Sequence, residues 1–70
     1  MEYTNSRVRE IVAEYIHSER DRMIMIDRLV NNVTIERLSE NYDLSVSQVK
    51  RIIQKNSRLI FKHFPEPKLD

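Results

Sequence analysis

Residues 35–54 read I-E-R-L-S-E-N-Y-D-L-S-V-S-Q-V-K-R-I-I-Q. Ile35, Leu38 and Tyr42 recur at the spacing of one helix face, and Val49, Ile52 and Ile53 repeat that pattern after a polar break. Thr34 and Ser45 stand just before the two stripes, where a side-chain oxygen can accept from the first unpaired N–H groups of a helix. Leu44 lies between them as an apolar plug. Two helices that cross over so short a turn need a small residue where their backbones approach, and Ser39 meets that need. The turn also needs a residue that tolerates a positive φ. The chain has no glycine, so Asp43 falls to that role. The motif spans about residues 34–55.

Working outward, Val8, Ile11, Val12, Tyr15 and Ile16 form an amphipathic stripe. They predict a first helix from about Asn5 to His17, capped by Thr4 or Asn5, with Arg7, Arg9, Glu10 and Glu14 on its wet side. Ser18 reads as the next cap, with Glu19 and Asp21 in a first turn where the helix dipole favours anions. The Met23-Ile24-Met25-Ile26 run is apolar on every side, and Leu29 and Val30 extend it at helical spacing. A central helix touched by several neighbours is expected, with Met23 and Met25 as core filler and Asn31-Asn32 as its end. The apolar pattern after Ser45 continues through Leu59, Ile60, Phe61 and Phe64, so the helix that Ser45 caps reaches about His63, unless a break at Asn56-Ser57 begins a fifth. The expected fold is all-α, a small bundle of four helices, or five with that break, containing a helix-turn-helix. One domain occupies residues 1–64, and Pro65 and Pro67 lead into a charged tail over 65–70.

Composition narrows the chemistry. A chain of 70 residues buries only roughly 60% of the surface its unfolded form exposes. It has no cysteine, which removes disulfides and thiolate metal sites. His17 and His63 are far apart in sequence and read as surface or helix-end residues. No nucleophile accompanies the Glu10 and Glu14 pair, and no glycine-rich phosphate loop is possible. An enzyme is not expected, nor a cofactor. No membrane span or signal-peptide core is apparent, so a cytoplasmic protein is expected.

The net charge of +1 conceals a segregation. Residues 1–44 carry six basic and nine acidic side chains, a net −3, whereas residues 45–70 carry six and two, a net +4. Lys50, Arg51, Lys55, Arg58 and Lys62 lie between Ser45 and Pro65 without one acid among them. A helix of that kind suits a polyanion.

Thr34, Glu36, Leu38, Leu44, Ser45, Val46, Val49 and Lys50 fit the frame T-x-E-x-[IL]-[AS]-x-x-x-x-[IL]-S-V-x-x-V-K. In that frame the segment resembles the helix-turn-helix of housekeeping-type sigma factors, in the domain that reads the upstream promoter element. It is similar as well to response-regulator output domains and to small phage transcription regulators. Ser18-Glu19-Arg20-Asp21-Arg22 resembles the entry to the preceding helix in sigma factors, and Arg28 matches a basic position there, so the resemblance covers roughly residues 18–55. Asn32 and Asp43 replace the family's usual glycines and Ser39 its alanine; each replacement keeps the physical requirement. The other sigma-factor domains are lacking, so the resemblance implies a stand-alone bacterial or phage regulator that binds double-stranded DNA in a sequence-specific way.

Docked as helix-turn-helix proteins dock, the start of the fourth helix would face base edges in the major groove. The outward residues there are Ser45, Val46, Ser47, Gln48, Lys50, Arg51 and Gln54. Arg51 can bridge guanine O6 and N7, Gln54 can pair with adenine, and Val46 can meet a thymine methyl. Thr34, Lys55 and Arg58 are expected on phosphates. A homodimer would enlarge the small interface, with Ile53, Asn56, Ile60 and Phe64, beside Leu59 and Phe61, as its seam. The alternative is that this run packs back on Tyr15 and Ile16 of the same chain. The competing function is a protein-interaction adaptor of the same fold that grips RNA polymerase or another regulator.

Overall fold

A computed structural model describes residues 4–62. The fold is all-α: four helices, with no strand among the described residues. Each helix begins at a hydroxyl cap. Thr4 accepts from the Arg7 backbone N–H at 3.1 Å and opens α1, Asn5–Tyr15. Ser18 accepts from Asp21 at 3.3 Å and opens α2, Glu19–Leu29. Thr34 accepts from Arg37 at 3.1 Å and opens α3, Ile35–Tyr42. Ser45 accepts from Gln48 at 3.1 Å and opens α4, Val46–Phe61. All four caps sit in extended backbone, which aims the oxygen at N–H groups that have no partner within the helix.

The first helix stops two residues before the expected His17. Ile16 turns into extended backbone and buries its side chain. The Arg22 guanidinium then donates to the carbonyls of Ile16 at 2.6 Å and His17 at 3.1 Å. Those carbonyls at the end of α1 are thereby satisfied by a cation from the next helix. A similar clamp closes the connection after α2, where Arg28 donates to the Val33 carbonyl at 3.1 Å and Asn32 takes φ 57°. Asn32 thus occupies the left-handed conformation expected of it.

Between α3 and α4 the chain reverses at Asp43, with φ 56° and ψ 47°. The Leu44 N–H donates to the Ser39 carbonyl at 2.9 Å and the Asp43 N–H to that of Glu40 at 3.4 Å. This is the pairing of a helix end that closes on a left-handed residue, and Leu44 adds the accompanying apolar contact by packing against the cluster that holds Leu38. Asp43 and Leu44 therefore form the turn as the sequence predicts.

The core has two centres. Ile11, Val12, Ile16, Met25 and Ile60 join α1, α2 and the end of α4. Ile24, Leu38 and Val49 join α2, α3 and the start of α4. Ile53 packs against both, and α1 does not touch α3. α2 is the central helix, in contact with all three others. Met25 is fully buried as expected, but Met23 is 51% exposed: with Ile24 and Met25 turned inward, Met23 falls on the outer side.

α4 passes through Asn56-Ser57 without a break. Asn56, whose run the sequence leaves open between a dimer seam and its own chain, is 1% exposed and lies inside its own subunit, as does Ile60. Its amide donates to the Ile52 carbonyl at 2.8 Å and to Asp21 Oδ2 at 3.1 Å. Ile53 and Ile60 pack in the cluster that holds Ile16 and Tyr15, so the run folds back on its own chain. Phe64, His63 and the tail over 65–70 lie outside the described residues. No helix among the described residues is long and apolar enough to cross a membrane.

Candidate nucleic-acid interface

The inner side of α4 is fixed by Val49, Ile52, Ile53, Asn56 and Ile60, which are buried or half-buried. Its opposite side must then face solvent. Ser47, Gln48, Lys50, Arg51, Gln54, Lys55, Arg58 and Lys62 are all exposed. Arg51, Lys55, Arg58 and Lys62 follow one another at intervals of four, three and four residues, which places them on one stripe. At the rise of an α-helix that row is roughly 16 Å long. Lys50 lies to one side of it, Ser47 lies one turn before it and Gln54 lies within it.

Most cations elsewhere among the described residues are engaged, Arg9 and Arg37 excepted. Arg7 pairs with Glu10 at 3.1 Å and Arg20 with Asp21 at 3.3 Å. Arg22 and Arg28 clamp carbonyls. By contrast, the side chains of Lys50, Arg51, Lys55, Arg58 and Lys62 make no hydrogen bond or ion pair among the described residues. The exposed acids nearest in sequence, Glu36, Glu40 and Asp43, belong to α3 and the turn. A row of unpaired cations on a rigid helix presents positive potential at a fixed geometry, which favours a polyanion of regular charge spacing.

The other expected site residues divide into groups. Ser45 and Gln48 hold each other: besides the cap, the Ser45 N–H donates to Gln48 Oε1 at 2.9 Å. This reciprocal box leaves the Ser45 hydroxyl hydrogen and the Gln48 Nε2 group as the donors still available outward. Val46 is half-buried, so only part of its surface can meet a ligand. Thr34 is exposed, and although its oxygen accepts from Arg37, its hydroxyl hydrogen remains a donor.

Arg37 was not among the expected contacts. It is exposed, its guanidinium has no partner among the described residues, and it lines a shallow open groove with Val33, Thr34 and Asn41. The sequence signal was its place three residues after a cap, on the same side of the helix as Thr34. On the inner side of α3, the Tyr42 hydroxyl donates to Asp27 Oδ2 at 2.7 Å and ties the end of α3 to α2. Burial, that hydrogen bond and the Asp27 charge together push the phenol up to about 12. No group of three or more metal-ligating side chains gathers among the described residues.

No protein-family model matches the chain, and no curated protein or solved structure does either.

Proposed function

We propose that this chain is a sequence-specific double-stranded DNA-binding protein, a small bacterial or phage transcription regulator in which α3 and α4 act as a helix-turn-helix. The observation that carries this reading is the row of exposed, internally unpaired cations on α4, next to a tight turn with a left-handed Asp43. In this reading α4 enters the major groove from its capped start. Arg51 and Gln54, with Ser47 and Lys50, reach base edges, and Gln48 contributes its free amide donors. Thr34, Arg37, Lys55 and Arg58 contact phosphates and set the docking angle. Its site of action would be the cytoplasm, where bacterial and phage DNA lie.

Selection of bound duplexes from a random library tests the proposal. A consensus should emerge, and a palindromic one would mean that two copies bind a two-fold site. Arg51→Ala should relax one base position and weaken binding by roughly five- to a hundredfold, the value of one bidentate contact at about 1–3 kcal/mol. Its folding stability should stay within about 0.5 kcal/mol of the parent, because the side chain is exposed and unpaired. Failure of any sequence to enrich would refute the proposal.

A further inference from the structure

Among the described residues the core contains two buried polar side chains, Asp21 and Asn56, and they are bonded to each other. Asp21, 5% exposed, stands in the first turn of α2; Asn56 stands in the inner seam of α4. One carboxylate oxygen accepts from the Asn56 amide at 3.1 Å, and the other faces the Arg20 guanidinium at 3.3 Å. The second amide hydrogen of Asn56 goes to the Ile52 carbonyl, so the donor group is fully engaged. In sequence the pair closes 35 residues, and Asn56 stands between Val49 and Ile60 on α4, one turn before Ile60.

Apolar packing alone fixes the rotation of α4 weakly. Val49, Ile52, Ile53 and Ile60 are aliphatic residues of similar shape spread over a broad inner face, and dispersion contacts have no direction. The Asp21–Asn56 bond does have direction, and it fails if the helix turns. A rotation of about 30° moves a side-chain tip roughly 6 Å from the helix axis by about 3 Å. Hydrogen bonds to base edges weaken steeply over a few tenths of an ångström, so such a rotation would remove them. Contacts to phosphates by long lysine and arginine side chains would survive it.

We infer that the buried Asp21–Asn56 pair sets the rotation of α4 about its axis, and thereby determines which of its residues meet DNA bases. Both are positioning residues that touch no ligand themselves. A single polar pair in an apolar interface is known to select one register at some cost in stability, and replacing such a pair with apolar residues is often neutral or stabilising. The DNA consequence rests on the function proposed above, whereas the rotation of the helix does not.

The test uses the full chain, whose lack of cysteine makes Met23→Cys and Leu59→Cys unique attachment points for two spin labels, one on α2 and one on α4. Both positions are exposed and neither is assigned to DNA. In the otherwise native chain the inter-label distance should be narrow. Asp21→Leu with Asn56→Leu should melt cooperatively, yet show a shifted or broadened distance. Its affinity ratio for the selected duplex over random duplex should fall roughly five- to a hundredfold, as when one base contact is lost. Asp21→Asn, which keeps an acceptor for Asn56, should restore both the narrow distance and the ratio. An unchanged distance in the double-leucine chain overturns the inference, as does its failure to fold, since the pair would then serve stability rather than orientation. If the native chain binds no duplex, the DNA reading fails and the distance alone decides the claim about α4.

Discussion

Asp43 shows how one residue governs the site. With φ at 56°, it holds a conformation that costs most L-residues roughly 1–2 kcal/mol and that Asp, Asn and Gly adopt more readily. A branched side chain there would strain the turn that sets α4 against α3. Asp43→Val should therefore lower the stability measured by urea unfolding by about 1–2 kcal/mol, whereas Asp43→Gly should stay within about 1 kcal/mol of the parent. Tyr42, its neighbour, gives a pH signature. Its phenol ordinarily ionises near 10 and is pushed up to about 12 in the folded chain. Between those values the unfolded chain has lost the proton while the folded chain keeps it. Stability is thus fully present below pH 10 and declines as pH rises towards 12. The melting temperature of the parent should fall more steeply across that window than that of Tyr42→Phe; parallel curves would show that the Asp27 bond has no such effect.

Helix starts were legible in the sequence and helix ends were less so. Thr4, Ser18, Thr34 and Ser45 act on N–H groups three residues away, so the cap and its target share one local stretch. Asp43 was legible for the same reason. The end of α1 was not, because it depends on Arg22 reaching back from α2 to two carbonyls. Whether the Asn56 run faces a second copy or its own chain is open in the sequence, because its partner Asp21 is distant in sequence. Met23 is exposed where core is expected, because an apolar run does not say which of its sides will find a neighbour. Of the site, exposure of Lys50, Arg51, Gln54, Lys55 and Arg58 followed from helical spacing alone, while Arg37 needed the groove beside Thr34. At this scale the capping box is the most direct point of attack. Ser45→Ala should cost about 1 kcal/mol in a thermal melt, within the range of roughly 0.5–2 kcal/mol for such caps. No change would mean that the bond from the Gln48 N–H to the Ser45 hydroxyl contributes nothing to α4.

At the scale of the molecule, the fold separates charges by use. In the first half Arg20, Arg22 and Arg28 are engaged within the fold, whereas the cations of α4, like Arg9 and Arg37, remain outward and unpaired. The two apolar clusters and the Asp21–Asn56 pair hold α4 from Val49 to Ile60, so the basic row is carried on a packed helix. Attraction of that row to a polyanion should depend on salt, because each phosphate contact releases condensed counterions. The most direct measurement is the affinity of the full chain for a short DNA duplex across a series of salt concentrations. With Arg37, Lys55 and Arg58 neutralising phosphates, the logarithm of the affinity should fall against the logarithm of salt with a slope of roughly −3. A slope near zero, or no binding to duplex at low salt, would contradict the account.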